Sequence, residues 1–180
     1  MGKTGAGKGT QAHLVARELD YKLFSSGDTF RALKQEETFL GHRVREHYDT
    51  GKLFPIWFSV YLFEQALFGL DEKEGIVFEG LGRWLREAEL FDEVAGWLGR
   101  DYVVVNLEIS DEEAIQRQQS RGRDTLDTLE KIKTRLEQYH EHNEPAIDFF
   151  RSKGKVIEID GGQSIEAVHR SVLDALKTYA

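Results

Sequence analysis

Six residues near the amino terminus have the types and spacing to hold a phosphate. The run Gly2-Lys3-Thr4-Gly5-Ala6-Gly7-Lys8-Gly9-Thr10 fits G-x-x-x-x-G-K, with a helical pattern starting at Lys8. Glycines let the backbone wrap an anion, successive N–H groups and the start of the following helix point at it, and the lysine bridges its oxygens. Thr10 adds a hydroxyl near the phosphates or their metal. Further along, arginines punctuate the chain at Arg31, Arg83, Arg117, Arg121, Arg123 and Arg135. Arg31 and Arg83 each follow a strand end or turn. The six histidines show no ligand spacing beyond isolated helical pairs and read as surface or structural residues.

The chain as a whole works against such a site, because 24 basic and 32 acidic residues leave a formal charge of −8. Any polyanion must be held by a local basic cluster, and nucleic acid and anionic membranes are expected to be repelled. No cysteine is present, which excludes disulfides and thiolate metal sites. No apolar run approaches the roughly 20 residues of a membrane span, and the start does not read as a signal peptide.

The elements that must position these residues alternate. Short apolar runs at 22–25, 76–79, 102–109 and 156–160 read as buried parallel strands. Helical patterns fill 8–19, 28–35, 38–49, 56–70, 87–98, 111–120, 126–153 and 165–179, with Ser110 and Glu113 as a capping box and Pro145 interrupting the long one. This order predicts an α/β fold, a parallel sheet between two helical layers, with ligands at the carboxyl ends of the strands.

Read together, the motifs resemble those of adenylate kinases, within the nucleoside monophosphate kinases. The phosphate loop is similar to the family's G-x-x-G-A-G-K-G-T-Q, and Ser25-Ser26-Gly27-Asp28-x-x-Arg31 to its S-T-G-D-x-x-R. Gly51-Lys52-Leu53-Phe54-Pro55 resembles G-x-L-V-P, and Glu79-Gly80-Leu81-Gly82-Arg83 stands where the family has D-G-F-P-R. Arg117-x-x-x-Arg121-Gly122-Arg123, followed by Arg135-Leu136-x-x-Tyr139, resembles the lid arginines and the helix after them. The likeness spans the whole chain in order.

The resemblance implies a three-layer P-loop domain over 1–180, with an acceptor-binding helical insert at about 25–54 and a short, zinc-free lid at about 121–129. It implies transfer of the γ-phosphoryl of ATP-Mg to AMP, giving two ADP. The implied ATP site comprises Gly5, Ala6, Gly7, Lys8, Gly9, Thr10, Arg117, Arg121 and Gln163. The implied acceptor site comprises Ser26, Arg31, Lys52, Leu53, Phe54, Gly80, Leu81, Gly82, Arg83, Glu87, Arg123 and Arg135. Lys8, Arg83, Arg121, Arg123 and Arg135 would stabilise the moving group, and Glu79 would reach Mg²⁺ through water. A cytoplasmic monomer with no nucleic-acid or membrane partner is expected.

Several positions depart from the family pattern. Glu79 replaces an aspartate, Gly82 a proline, and Glu87 the glutamine that reads the acceptor base. An ionised glutamate only accepts hydrogen bonds, which suits guanine better than adenine. Ser26, where threonine is common, leans towards AMP. GMP, CMP or UMP is therefore the alternative acceptor, and a nucleotide-binding module without turnover the alternative class. Only Met1 precedes the loop, where the family has a central strand. The expectation is a gap in mid-sheet, to be filled by about five to seven apolar residues before Met1.

Overall fold

The computed structural model describes residues 1–121, the last in backbone only, and 128–179. The described strands are β1 (Lys22–Ser25), β2 (Ile76–Glu79), β3 (Val104–Glu108) and β4 (Val156–Asp160). Around them run α1 (Lys8–Leu19), α2 (Ser26–Leu33), α3 (Phe39–Tyr48), α4 (Ile56–Phe68) and α5 (Leu85–Trp97). The rest are α6 (Asp111–Arg121), α7 (Leu129–Gln138), α8 (Glu144–Ser152) and α9 (Ile165–Leu176). Ser25, Thr38, Thr128 and Ser164 cap their helices by accepting a backbone N–H three residues on. The Ser110 hydroxyl does the same for Glu113 at 3.1 Å, as its position predicts.

Alternation along the strands defines the layers. Val77, Val105 and Ile157 pack with Val15, Ala114, Ile132 and Val172, from α1, α6, α7 and α9. Their neighbours Ile76, Phe78, Val104 and Val156 pack on the other face with Phe63, Phe91 and Phe150, from α4, α5 and α8. Successive side chains of a strand point to opposite faces, so each face buries its own helical layer. The three-layer α/β architecture stands. A third, smaller core of Phe30, Val44, Tyr48 and Phe58 belongs to α2, α3 and the start of α4.

The sheet itself is split. β1 pairs in parallel with β2, from Lys22↔Ile76 to Ser25↔Glu79, and β3 with β4, from Val104↔Val156 to Glu108↔Asp160. Between the free edges of β2 and β3 lies a slot of about 960 Å³, lined by Ile76, Val77 and Phe78 on one side and Val104, Val105 and Leu107 on the other. Met1 and Gly2 enter one end of it. The Met1 amine donates to the Val105 carbonyl, the Leu107 N–H donates to the Met1 carbonyl at 3.1 Å, and Gly2 bridges Leu107 in parallel. The predicted break in mid-sheet is therefore present.

The helix expected over 126–153 is two helices. A π turn at Tyr139–Asn143 separates α7 from α8, with the Glu144 N–H bonded back to the Tyr139 carbonyl. Pro145 has no N–H to give to the preceding turn and its ring crowds the carbonyl four residues back, so the chain widens ahead of it.

Candidate active site

A cleft of about 610 Å³ opens at the carboxyl ends of the strands, walled by the phosphate loop, α2, the turn after β2, and α6 and α7. Gly5 and Gly7 take positive φ, +82° and +89°, a conformation that glycine adopts without strain. Gly2 lies so close to β3 that a β-carbon would stand 2.3 Å from the Leu107 carbonyl oxygen. The start of α1 carries no side-chain cap, and Lys8, Gly9 and Thr10 of its first turn line the cleft. The Lys8 ammonium folds back over the loop to the Lys3 carbonyl, 2.6 Å away.

Lys3 was not singled out from the sequence. Its ammonium meets Asp111 at 2.6 Å and the Ile109 carbonyl at 3.0 Å, tying the loop to the start of α6. The Lys3 ammonium holds the Asp111 carboxyl below the usual range, against its partial burial, with His140 assisting. Arg117, one α6 face further on, pairs with Glu113 at 2.5 Å and donates to the Gly161 carbonyl at 2.9 Å. It thereby joins α6 to the turn after β4 while lining the cleft.

Glu79 ends β2 and accepts from the Ser25 hydroxyl at 2.9 Å. Burial alone would raise its carboxyl, but the Lys8 and Arg83 charges and the Ser25 hydroxyl together leave it below the usual range. The group is ionised at neutral pH, facing the loop. Arg83 lies beside it, its Nε donating to the Gly80 carbonyl at 3.1 Å. Arg31 pairs with Asp28 one turn earlier on α2, and Arg135 reaches in from α7 with its guanidinium 3.5 Å from the Gln118 side-chain oxygen. Gln118, only 1% exposed, also lines the cleft; sequence reasoning passed over it because nothing local distinguishes it from its neighbour Gln119.

The cleft thus gathers Gly5, Gly7, Lys8, Gly9, Thr10, Arg31, Arg83, Arg117 and Arg135, with Lys52, Leu53 and Phe54 from the strip before Pro55. Other expected residues stand off it. Ala6 is buried beneath the loop, and Leu81 packs into the second core. The Ser26 hydroxyl is bonded to the Gly80 carbonyl at 3.0 Å, and the Gln163 amide to Asp160 at 3.1 Å. Gly80 and Gly82 form the turn beneath Arg83, with φ of +82° and +68°. Arg123 and most of the expected lid, 121–129, lie outside the described residues, as does the side chain of Arg121.

Glu87 stands apart from the other expected acceptor residues. It is 1% exposed and does not border the cleft. Its carboxylate accepts the Arg83 N–H at 2.9 Å, and the N–H groups of Trp84 and Gly82 add to this. Burial raises its carboxyl above the usual range despite those bonds. Glu87 fastens the turn that carries Arg83.

A parallel α/β sheet, a glycine-lysine loop at a helix start and arginines from several elements lining one cleft define a P-loop phosphotransferase site. The adenylate kinase family model matches residues 1–155. The chain is 35% identical to the adenylate kinase of Corynebacterium urealyticum, over 98% of this chain and 96% of that protein. It is 37% identical to adenylate kinase 1 of a Nostoc species (93% and 91%), and 35% identical to the adenylate kinase of Thermobifida fusca (100% and 97%). The chain belongs to the adenylate kinase family.

Proposed function

We propose that this protein transfers the γ-phosphoryl group of ATP to AMP, giving two ADP by direct in-line displacement without a covalent intermediate. The carrying observation is that Lys8, Arg31, Arg83, Arg117 and Arg135, from five different parts of the chain, line one cleft in a chain that is acidic overall. A binding module needs the loop but has no use for so many further positive groups around the moving group.

Lys8 and the loop N–H groups hold the β- and γ-phosphates of ATP, while Arg117 places the adenine beside the turn after β4. Arg31 and Arg83 fork onto the AMP phosphate. Arg135, with Arg121 and Arg123 from the short 121–129 lid, covers the transferring group and excludes water. The ionised Glu79 carboxylate and the Thr10 hydroxyl are hard oxygen donors of the kind Mg²⁺ takes, through water for Glu79. Bound there with ATP, Mg²⁺ would supply positive charge to the terminal phosphates. No described helix is long and apolar enough to cross a membrane, and a cytoplasmic monomer completes the reading.

A coupled assay offering ATP-Mg with each common monophosphate tests it. AMP should be the best acceptor, and Lys8→Met should lower turnover by about 10²–10³-fold, as losing one transition-state contact does. Turnover that survives Lys8→Met would overturn the reading.

A further inference from the structure

We propose that Trp84 is a positioning residue of the acceptor half of the cleft: its indole N–H holds the Phe54 carbonyl and so registers the 51–55 strip against Arg83. The inference rests on the acceptor assignment above and adds to it a residue that does not itself line the cleft.

Trp84 occupies the cap position of α5, in extended conformation (φ −116°, ψ 145°), yet its side chain makes no cap bond. Glu87 serves the N–H groups of that turn from inside the helix. The indole is therefore turned elsewhere. Its Nε1 donates to the Phe54 carbonyl at 3.2 Å, thirty residues back along the chain, and its ring lies 4.0 Å from the imidazole of His142 in the π turn. Trp84 joins three segments that share no strand or helix.

The strip needs such a fixture because residues 52–55 have no regular secondary structure. Its backbone is pinned by side chains from other elements. The Leu53 N–H donates to the Gln138 side chain at 2.8 Å, and His47 bonds the Leu53 carbonyl at 2.9 Å. Trp84 takes the Phe54 carbonyl, and the Phe54 ring stacks on Phe30 with centroids 3.8 Å apart and planes 15° from parallel. Of the three pins, only Trp84 is covalently adjacent to an arginine of the cleft. It fixes the distance between the group that holds the acceptor phosphate and the rings beside which the rest of the acceptor lies.

The test is Trp84→Phe, which keeps an aromatic ring and removes the N–H. Expected is a rise of about tenfold in KM for AMP, the worth of one hydrogen bond, with kcat and KM for ATP changed less than twofold. An unchanged AMP KM, or a proportionate loss in kcat and both KM values, would overturn the proposal. Arg83→Ala, assayed in parallel, separates the two readings. If neither variant affects AMP, the acceptor assignment fails; if only Arg83→Ala does, the role of Trp84 fails. A spectroscopic arm remains informative should Trp84→Phe fold poorly. Trp57 and Trp97 are 69% and 81% exposed, whereas Trp84 is partly enclosed. In a Trp57→Phe/Trp97→Phe background, saturating AMP should shift the emission of Trp84 and ATP alone should leave it in place. Emission indifferent to AMP would also overturn the proposal.

Discussion

Replacing Glu87 separates a residue that reads a base from one that holds a turn. In Glu87→Ala the Arg83 N–H loses its acceptor in an environment where the carboxylate was 1% exposed. A buried donor left unsatisfied costs about 1–3 kcal/mol, which in a chain of this size lowers the melting temperature by roughly 2–4 °C per kcal/mol. The AMP kcat/KM should fall as well, because the freed turn carries Arg83. Glu87→Gln keeps an acceptor oxygen of the same reach and removes the charge, so its structure and AMP kinetics should stay close to the parent. The sign of its pH dependence follows from burial, which raises the folded carboxyl above its unfolded value. The parent therefore has the full Glu87 contribution below the unfolded pKa and loses it as pH rises through the folded one. Urea unfolding of both proteins between pH 4 and pH 8 should show Glu87→Gln gaining on the parent towards the alkaline end, while carboxylates common to both cancel. Rates with AMP and GMP supply the decisive comparison. A tenfold change in their kcat/KM ratio on Glu87→Gln would show that the side chain meets the base and that the buried arrangement does not persist in the working enzyme.

Two more outcomes concern the backbone around the site. Restoring the family's proline by Gly82→Pro should destabilise by more than about 1 kcal/mol, since φ at Gly82 is +68° and proline requires about −65°; thermal melts check this, and a rise in melting temperature would refute it. Joining five apolar residues upstream of Met1 should raise the melting temperature and tighten ATP binding, by pairing the open edges of β2 and β3 and removing an amine that burial pushes down to about 5. Equal melting temperatures and equal ATP affinities, by calorimetry, would refute that.

The phosphate loop was legible because its signal is local: glycine positions, a lysine and a helix start lie within ten residues. The strands were legible for a similar reason, and β1, β2 and β4 begin and end where their apolar runs do. The surroundings of Glu87 were not legible because they depend on what closes over it, and the backbone N–H groups that its carboxylate accepts come to it only through the packing of α5 on the turn before it. Gly82 stands where the family has proline, yet its positive φ is one that proline cannot take, which the substitution alone does not reveal. Lys3 and Gln118 were invisible for want of a partner, since Asp111 and Arg135 come into contact with them only through the fold. The division of α7 from α8 was half visible, as Pro145 announced an interruption but not the width of the π turn before it.

The small core around Phe30, Val44, Tyr48 and Phe58 has a consequence for how the molecule opens. It is built from α2, α3 and the head of α4, and of these only α4 also packs on a face of the sheet, further along through Phe63 and Leu67. A segment with its own core can come apart without dissolving the rest, and the free energy of that partial opening lies below that of global unfolding. Amide protons of α2 and α3 should accordingly exchange with solvent through sub-global openings, ahead of those in β3 and β4. Acceptor bound there would act as a cross-brace, and its affinity would appear directly as slowed exchange in those two helices.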